Sequence, residues 1–426
     1  MYSAKKGETT LSIIPWILPA LAVLLFVWCA GVCVAGTLRP AILRPLPPGD
    51  TGPRWKWRHA AAVCLLIALA WQAVFWTAAL VRYPDLDPLA ALQAQYYGNT
   101  DARHYIDLAQ YGYGTGEAFP EQYLMIVFFP LFPALLRLLN PLGVLDWGGL
   151  ALAVQVPLFA AAGANLYLVL AGRFGHHRAL WALAFTAVGP GSLFFFAPMT
   201  ESLFLLLSTA YVLLLERQHW ALCGLVGLLA ALTRAPGGLL CGLALIWLIG
   251  RACCHMHAPG PGAVLAVAGP PAGLGLYFAL NWAVYGNPTQ YAFYQKDHWG
   301  QALGLFPNTV AYHLRYMAQW WSSNRTAALY LCGAAVAAIF LVLGLLALTA
   351  RRLPPQYLGY ALAYFALTAG TTWAISLPRY FAACFLLPVL PAVIFRKNGL
   401  RAAALVLWAV LGVLYTMEFF AQGPIY

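Results

Sequence analysis

Long apolar segments recur along the whole chain, and they restrict its fold more than any other feature of the sequence. Of the 426 residues, 62% are hydrophobic and 9% are charged, whereas soluble domains have about 25% charged residues. Many segments approach the roughly 20 residues that a helix needs to cross a bilayer. Because a backbone in lipid must satisfy its own hydrogen bonds and no period-two alternation is evident, the sequence predicts an all-α polytopic membrane protein.

The apolar pattern predicts about 12 transmembrane helices, three of them short enough to be half-helices. They cover residues 11–36, 60–82, 149–171, 179–197, 202–215, 220–233, 236–250, 263–285, 326–349, 357–375, 379–395 and 400–420. A further apolar stretch, 124–139, contains Pro130 and Pro133 and is expected to lie along or dip into the outer surface. Two large polar external loops remain, at about 83–148 and 286–325.

Basic residues orient the chain. Fourteen of the 24 Lys and Arg residues, but two of the 13 acidic residues, fall in the connectors that we predict to be cytoplasmic. This bias follows the positive-inside rule and puts both large loops on the opposite face. The net charge of +11 is spread over short connectors, so we expect membrane lipids rather than nucleic acid as partners. The membrane is expected to be the plasma membrane in a prokaryote or the endoplasmic reticulum in a eukaryote.

The nine cysteines do not predict a disulfide framework, because they lie in apolar spans or in one short basic connector. That connector holds Cys253, Cys254, His255 and His257. These are metal-ligand residue types, but the sequence offers no second ligand pair. We therefore predict no metal site there.

The first external loop carries a short amphipathic segment at residues 99–114. At helical spacing Ala102, Tyr105, Ile106 and Ala109 share one apolar face, and Asp101 falls in the first turn. Asp101 or Thr100 is expected to cap the helix, since Asp is common there. A carboxylate in an external loop is equally a candidate catalytic group, and the two roles can coexist.

Four elements of the chain resemble motifs of the PIG-V-type GPI mannosyltransferases and their prokaryotic relatives. The matching stretches are residues 101–113 with 128–133, residues 198–204, residues 231–237, and residues 378–380 with Pro388. Two positions depart from the motifs, since Thr100 replaces an aromatic residue and Phe132 replaces a tyrosine. The elements occur in family order between about residues 96 and 391. Residues 1–59, a helix and a basic connector, look like an addition to a core at 60–426.

The resemblance implies a GT-C fold glycosyltransferase that takes a hexose, mannose in that family, from a polyprenyl-phosphate carrier. It implies transfer with inversion to an external lipid or glycan acceptor, with Asp101 as general base and no cofactor. Cations at the outer ends of spans would neutralise the lipid phosphate. Candidates for that role are Arg234, Arg379, Lys296 and His298, and the other residues expected to contact substrate are Arg103, His104, Tyr105, Glu201 and Tyr380.

Simpler interpretations stay open for several of these residues. Arg234 and Arg379 are expected to snorkel to the interface if they bind no substrate, and Glu201 to act on a helix dipole. A divalent ion bridging Asp297 to Asp101 also stays open. For the whole chain, the alternatives are a flippase or transporter of lipid-linked sugar, or an oligosaccharide ligase or polymerase of related architecture.

Overall fold

A computed structural model describes residues 5–44, 54–98, 100–256, 260–374 and 376–423, with side chains from residue 16 onward. These residues are almost entirely helical, and their one β-pairing is an isolated antiparallel bridge between Leu303 and Thr371. The α-helices are α1 Lys5–Leu38, α2 Trp57–Arg82, α3 Pro88–Tyr97, α4 Ala102–Tyr111, α5 Leu131–Leu139, α6 Trp147–Ala153, α7 Gln155–Phe174, α8 His176–Val188, α9 Glu201–Glu216, α10 Trp220–Thr233, α11 Leu240–Cys253, α12 Ala263–Tyr285, α13 Gln290–Trp299, α14 Phe306–Trp320, α15 Arg325–Ala327, α16 Ala334–Thr349, α17 Pro355–Ala369, α18 Leu377–Ala383, α19 Leu390–Ile394 and α20 Asn398–Phe420. Short 3₁₀ turns lie at Pro40–Ile42, Gln122–Val127, Ser192–Phe195, Ala235–Leu239 and Leu387–Val389, and a π-helical turn at Ala328–Gly333.

Seven helices in the described residues are long and apolar enough to cross a membrane, and a pair bent by 85°, Leu377–Ala383 with Leu387–Ile394, is a candidate eighth. The seven are Trp16–Leu38, Trp57–Arg82, Trp147–Phe174, Ala235–Cys253, Ala263–Tyr285, Arg325–Thr349 and Asn398–Phe420. The predicted all-α membrane fold is thus confirmed, but the predicted count of about 12 spans is not.

The four remaining predicted spans contain helices of 13 to 16 residues, namely α8, α9, α10 and α17. Burial within the bundle allows a helix such as α9 to be short. Backbone that faces lipid must stay helical across the hydrocarbon layer, whereas backbone surrounded by protein finds partners in its neighbours. The first five residues of α9 are all buried, for example.

The connectors predicted to be cytoplasmic meet at one end of the bundle. The Arg44 amide donates to the Arg351 carbonyl at 2.7 Å, and Arg352 Nη1 donates to the Ile394 carbonyl at 2.9 Å. Arg173 pairs with Glu216 at 2.8 Å. Glu216 is the last residue of α9, so Glu201, the first, lies about 22 Å away at the opposite end.

The first external loop is held against the bundle by contacts with Tyr277, a buried aromatic residue of α12. Tyr277 of α12 donates its hydroxyl to the Ile126 carbonyl at 2.6 Å, and its ring stacks on Phe129 with centroids 4.1 Å apart. Within this stretch α5 has nine residues, about 14 Å of helix, which is too short to span a bilayer. The structure therefore agrees with the prediction that residues 124–139 do not form a full membrane span.

The second external loop holds the segment that leads into α18. His313 of α14 accepts a hydrogen bond from the Ala374 amide at 2.9 Å, and Thr309 donates to the Thr371 carbonyl at 2.7 Å. Because Nε2 of His313 accepts, that ring is neutral there, and burial lowers the pKa of His313 to about 4. These contacts fix the chain just before α18.

Candidate active site

Four charged side chains from distant parts of the chain form one hydrogen-bonded group, which we name the charge cluster: Asp101, Glu201, Arg234 and Arg379. Arg379 donates from Nη1 to Asp101 Oδ2 at 2.9 Å and from Nε to Glu201 Oε1 at 2.6 Å. Arg234 Nη1 reaches the same Glu201 oxygen at 2.5 Å. With two carboxylates and two guanidiniums, the cluster is formally neutral.

Burial within the charge cluster is graded. The side chain of Glu201 is 1% exposed and that of Arg234 11%, whereas Arg379 is 7% and Asp101 35% exposed. Removing one partner of an ion pair this deeply buried is strongly destabilising, because it leaves an uncompensated buried charge. Because its side chain is the most exposed of the four, Asp101 is the member of the charge cluster that solvent can reach.

Asp101 does not cap α4 with its side chain. The Ala102 amide instead donates to the Thr100 hydroxyl at 3.1 Å, so the expectation of a cap holds for Thr100 and is wrong for Asp101. One carboxylate oxygen of Asp101, Oδ2, is bound by Arg379. The other makes no hydrogen bond to any described residue and is open to an incoming group.

The predicted apolar face of α4 is confirmed. Ala102, Tyr105, Ile106 and Ala109 are all buried, and this anchors the helix so that Asp101 at its start points toward Arg379. The edge of the Tyr105 ring meets Phe132 with centroids 5.8 Å apart. Burial, followed by the negative charge of Asp101, raises the pKa of the Tyr105 phenol above its ordinary value.

Glu201 and Arg234 reach the charge cluster from positions where helices begin or end. Glu201 begins α9, and Arg234 is an extended residue, φ −158°, between α10 and the 3₁₀ turn that begins with Ala235 and Pro236. Arg234 also donates to the Thr200 hydroxyl at 3.1 Å. Both arginines point inward, so the expectation that they snorkel to the interface is wrong.

Aromatic rings cover the two guanidiniums. The Tyr380 ring centroid lies 5.3 Å from the Arg234 guanidinium carbon and 5.8 Å from that of Arg379. Phe194 lies 5.2 Å from the Arg379 guanidinium carbon. These are cation–π distances, and the rings also exclude water from the cluster.

A glycine brings the Phe194 turn against α18. Gly191 has φ +81°, and a Cβ there would lie 2.4 Å from the Pro378 carbonyl oxygen and 2.9 Å from the Arg379 Cα. Sequence reasoning missed both Gly191 and Phe194. The only signal was the run Gly189, Pro190, Gly191, which marks a tight turn without naming its neighbour.

His104 and α13 form a second group beside the cluster. The His104 ring stacks on Phe128 with centroids 5.0 Å apart, and the rings of Trp299 and Phe128 meet edge-on with centroids 6.4 Å apart. His298 lies 5.7 Å from Tyr294, centroid to centroid, and is exposed, as is Lys296. In the described residues neither Lys296 nor His298 bonds to the charge cluster.

Arg103 turns away from the charge cluster. Its side chain is 57% exposed and pairs with Asp107, four residues along α4, at 3.5 Å. Burial, partly offset by Arg103, raises the pKa of Asp107. Arg103 therefore pairs along its own helix and faces solvent rather than the charge cluster.

Among the described residues, no group of three or more His, Cys, Asp or Glu side chains is placed to hold a metal ion. Cys253 and Cys254 are exposed thiols, and His257 lies outside the described residues. Asp297 is exposed on α13.

No family model matches the sequence, and no curated protein matches it significantly. Two solved structures of an oligosaccharyltransferase from Archaeoglobus fulgidus are weakly similar. The complex with Zn and sulfate has a TM-score of 0.41 and 14% identity, covering 77% of this chain and 49% of that one. The complex of AglB with an inhibitory peptide and a dolichol-phosphate has a TM-score of 0.40 and 12% identity, covering 84% and 56%. This chain thus spans about half the length of those proteins, and a similarity this low carries no argument about its activity.

Proposed function

We propose that the protein is a membrane glycosyltransferase that moves a hexose from a polyprenyl-phosphate carrier to a lipid or glycan acceptor. We propose mannose as that hexose. The active site is the charge cluster, on the non-cytoplasmic face, and Asp101 is the general base. The observation that carries the proposal is the position of Asp101. It is the exposed end of an otherwise buried cluster, with one oxygen held by Arg379 and the other open.

This geometry suits an inverting displacement. The acceptor hydroxyl gives its proton to the open oxygen of Asp101 while the acceptor oxygen bonds to the anomeric carbon of the sugar. The bond from that carbon to the phosphate oxygen breaks on the opposite face, and its electron pair leaves with the lipid phosphate. A hydroxyl is a weak nucleophile, so a carboxylate within hydrogen-bond reach lowers the barrier.

The surrounding residues have proposed roles that follow from their exposure. We propose that His104, stacked on Phe128, and the exposed Lys296 and His298 of α13 contact sugar or phosphate groups that enter beside Asp101. Tyr380 acts by covering the guanidiniums.

The position of the charge cluster favours an enzyme over a flippase or transporter. Transporters hold their ions and substrates near the bilayer midplane between repeated halves. Here Asp101, the most exposed member of the charge cluster, precedes the ten-residue helix α4, which is too short to span a bilayer. The acidic end of the cluster belongs to a loop segment rather than to the middle of a span.

The test uses purified protein in detergent with polyprenyl-phosphate mannose and a membrane lipid extract, with glycosylated products found by mass spectrometry. The key variant is Asp101→Asn, because the amide oxygen still accepts from Arg379 but takes up no proton. We expect a folded, donor-binding protein with turnover lowered by roughly 10²- to 10⁴-fold.

Asp107→Asn is the control, since Asp107 lies on the same helix and pairs with Arg103 rather than with the charge cluster. It should retain most of the activity. Wild-type turnover by the Asp101→Asn protein, with donor binding and melting temperature unchanged, would remove Asp101 from the mechanism.

A further inference from the structure

Glu201 is the centre of the charge cluster but is closed to substrate. Its carboxylate is 1% exposed, and one oxygen already accepts from both Arg234 and Arg379. The other oxygen is buried without a hydrogen-bond partner in the described residues. A donor or acceptor sugar has no route to either oxygen while the cluster is intact.

We infer that Glu201 is a positioning residue that acts on Asp101 through Arg379, an inference that rests on the proposed function. Arg379 uses two different N–H groups of one planar guanidinium, Nε toward Glu201 and Nη1 toward Asp101. Because the guanidinium is rigid and its donors have fixed directions, the carboxylate that binds one group sets the direction of the other.

Glu201 also determines how much of the positive charge of Arg379 is balanced by Asp101. Arg379 contacts Asp101 directly, Glu201 and Arg234 lie behind Arg379, and Tyr105 lies on the same helix as Asp101. Tyr380 and Tyr415 face Arg379 from α18 and α20. With Glu201 ionised, the positive charge of Arg379 is shared between two carboxylates. When the charge of Glu201 is removed, Arg379 is paired with the carboxylate of Asp101 alone. The ionised form of Asp101 is then stabilised more strongly, so Asp101 is a weaker base.

The main variant is Glu201→Gln, whose amide oxygen still accepts from both arginines but carries no charge. We expect turnover, kcat, to fall roughly 10- to 100-fold, with no rise in the KM for polyprenyl-phosphate mannose. The acid limb of the kcat/KM pH profile should move to lower pH, because the ionised form of Asp101 is then favoured. A merely structural role would not move that limb.

The matched control is Glu216→Gln at the other end of the same helix. Glu216 also pairs with an arginine, Arg173 at 2.8 Å, and accepts from the Tyr357 hydroxyl at 2.9 Å. It lies at the end of the bundle away from Asp101. Its variant should keep the wild-type pH profile and a kcat within about twofold of wild type.

A second variant covers the case in which Glu201→Gln does not fold, since one unpaired buried charge is strongly destabilising. The double variant Glu201→Gln, Arg234→Gln removes one charge of each sign and leaves the cluster neutral. It should fold, keep donor binding, and still show the lowered kcat, because Arg379 has lost its carboxylate anchor.

Three results separate the outcomes. An unchanged kcat and pH limb, or a raised donor KM at unchanged kcat, overturns the positioning role. If the wild type transfers no sugar from the polyprenyl-phosphate donor, the proposed function fails, and the inference is then judged by melting temperatures alone. In that case Asp101→Asn and Glu201→Gln should be non-additive, because both act through Arg379, and strict additivity overturns the inference.

Discussion

Gly191 offers a test of the site that touches no charged group. Its left-handed backbone, φ +81°, brings the turn before Phe194 against the start of α18. An added Cβ would lie 2.4 Å from the Pro378 carbonyl oxygen, directly before Arg379 in the chain. Gly191→Ala should therefore displace Arg379 although the variant adds one methyl group and changes no charged group.

The expected size of the effect follows from two terms. A left-handed conformation destabilises an alanine by about 1–2 kcal/mol relative to glycine, and overpacking against backbone typically adds about 1–3 kcal/mol. To restore an ordinary contact, the two backbone segments must separate by about 1 Å. A misplacement of about 1 Å in a catalytic group lowers turnover by roughly 100-fold.

The assay compares melting temperature in detergent and sugar transfer for Gly191→Ala and for Gly172→Ala. Gly172 lies in α7, and nothing stands within 4 Å of an added Cβ there. The control should match or slightly exceed wild-type stability, because alanine is a better helix former than glycine. If Gly191→Ala kept wild-type stability and turnover, the close approach of the turn to α18 would not position Arg379.

Two further predictions concern pH and topology. The pKa of His313 is lowered by burial to about 4 from an ordinary 6.5, so its neutral form stabilises the fold above pH 6.5 and that contribution is lost as the pH falls toward 4. The wild-type melting temperature should accordingly drop over this window more steeply than that of His313→Gln, and equal slopes would contradict the role of the Ala374 bond. Gly116 is exposed, with nothing within 4 Å of an added Cβ, so a Gly116→Cys protein in intact cells should react with an impermeant thiol reagent at residue 116 and not at the exposed Cys253 and Cys254. The opposite labelling pattern would invert the predicted topology.

Local patterns in the sequence were enough to predict most of the helices. The period of the apolar residues located α4 and its buried face, and the long lipid-facing spans such as Ala263–Tyr285 are continuous apolar runs. Hydropathy reports how long an apolar run is, not whether its backbone faces lipid or protein. For this reason it did not separate full spans from buried helices such as α9, or foresee the 85° bend after α18.

The motif resemblance named the residues of the cluster without saying how they meet. Arg379 and Asp101 are 278 positions apart, and no periodicity links them. Their pairing depends on where α4 and α18 pack, which in turn depends on close approaches such as that of Gly191. Contacts of this kind depend on tertiary packing and leave only a turn signal in the sequence.

The ion pairs of Arg234 and Arg379 also determine when these arginines can stabilise the leaving phosphate in the proposed reaction. Both guanidiniums are already matched by carboxylates, so the cluster as it stands is neutral and offers little net attraction to a phosphate. When Asp101 takes the acceptor proton, it loses its charge while Glu201, Arg234 and Arg379 keep theirs. The cluster then carries one positive charge, which appears in a buried, weakly screened environment as the lipid phosphate gains negative charge. In this mechanism proton uptake by Asp101 itself creates the charge that stabilises the leaving group, and a neutral resting cluster favours the transition state over the bound donor.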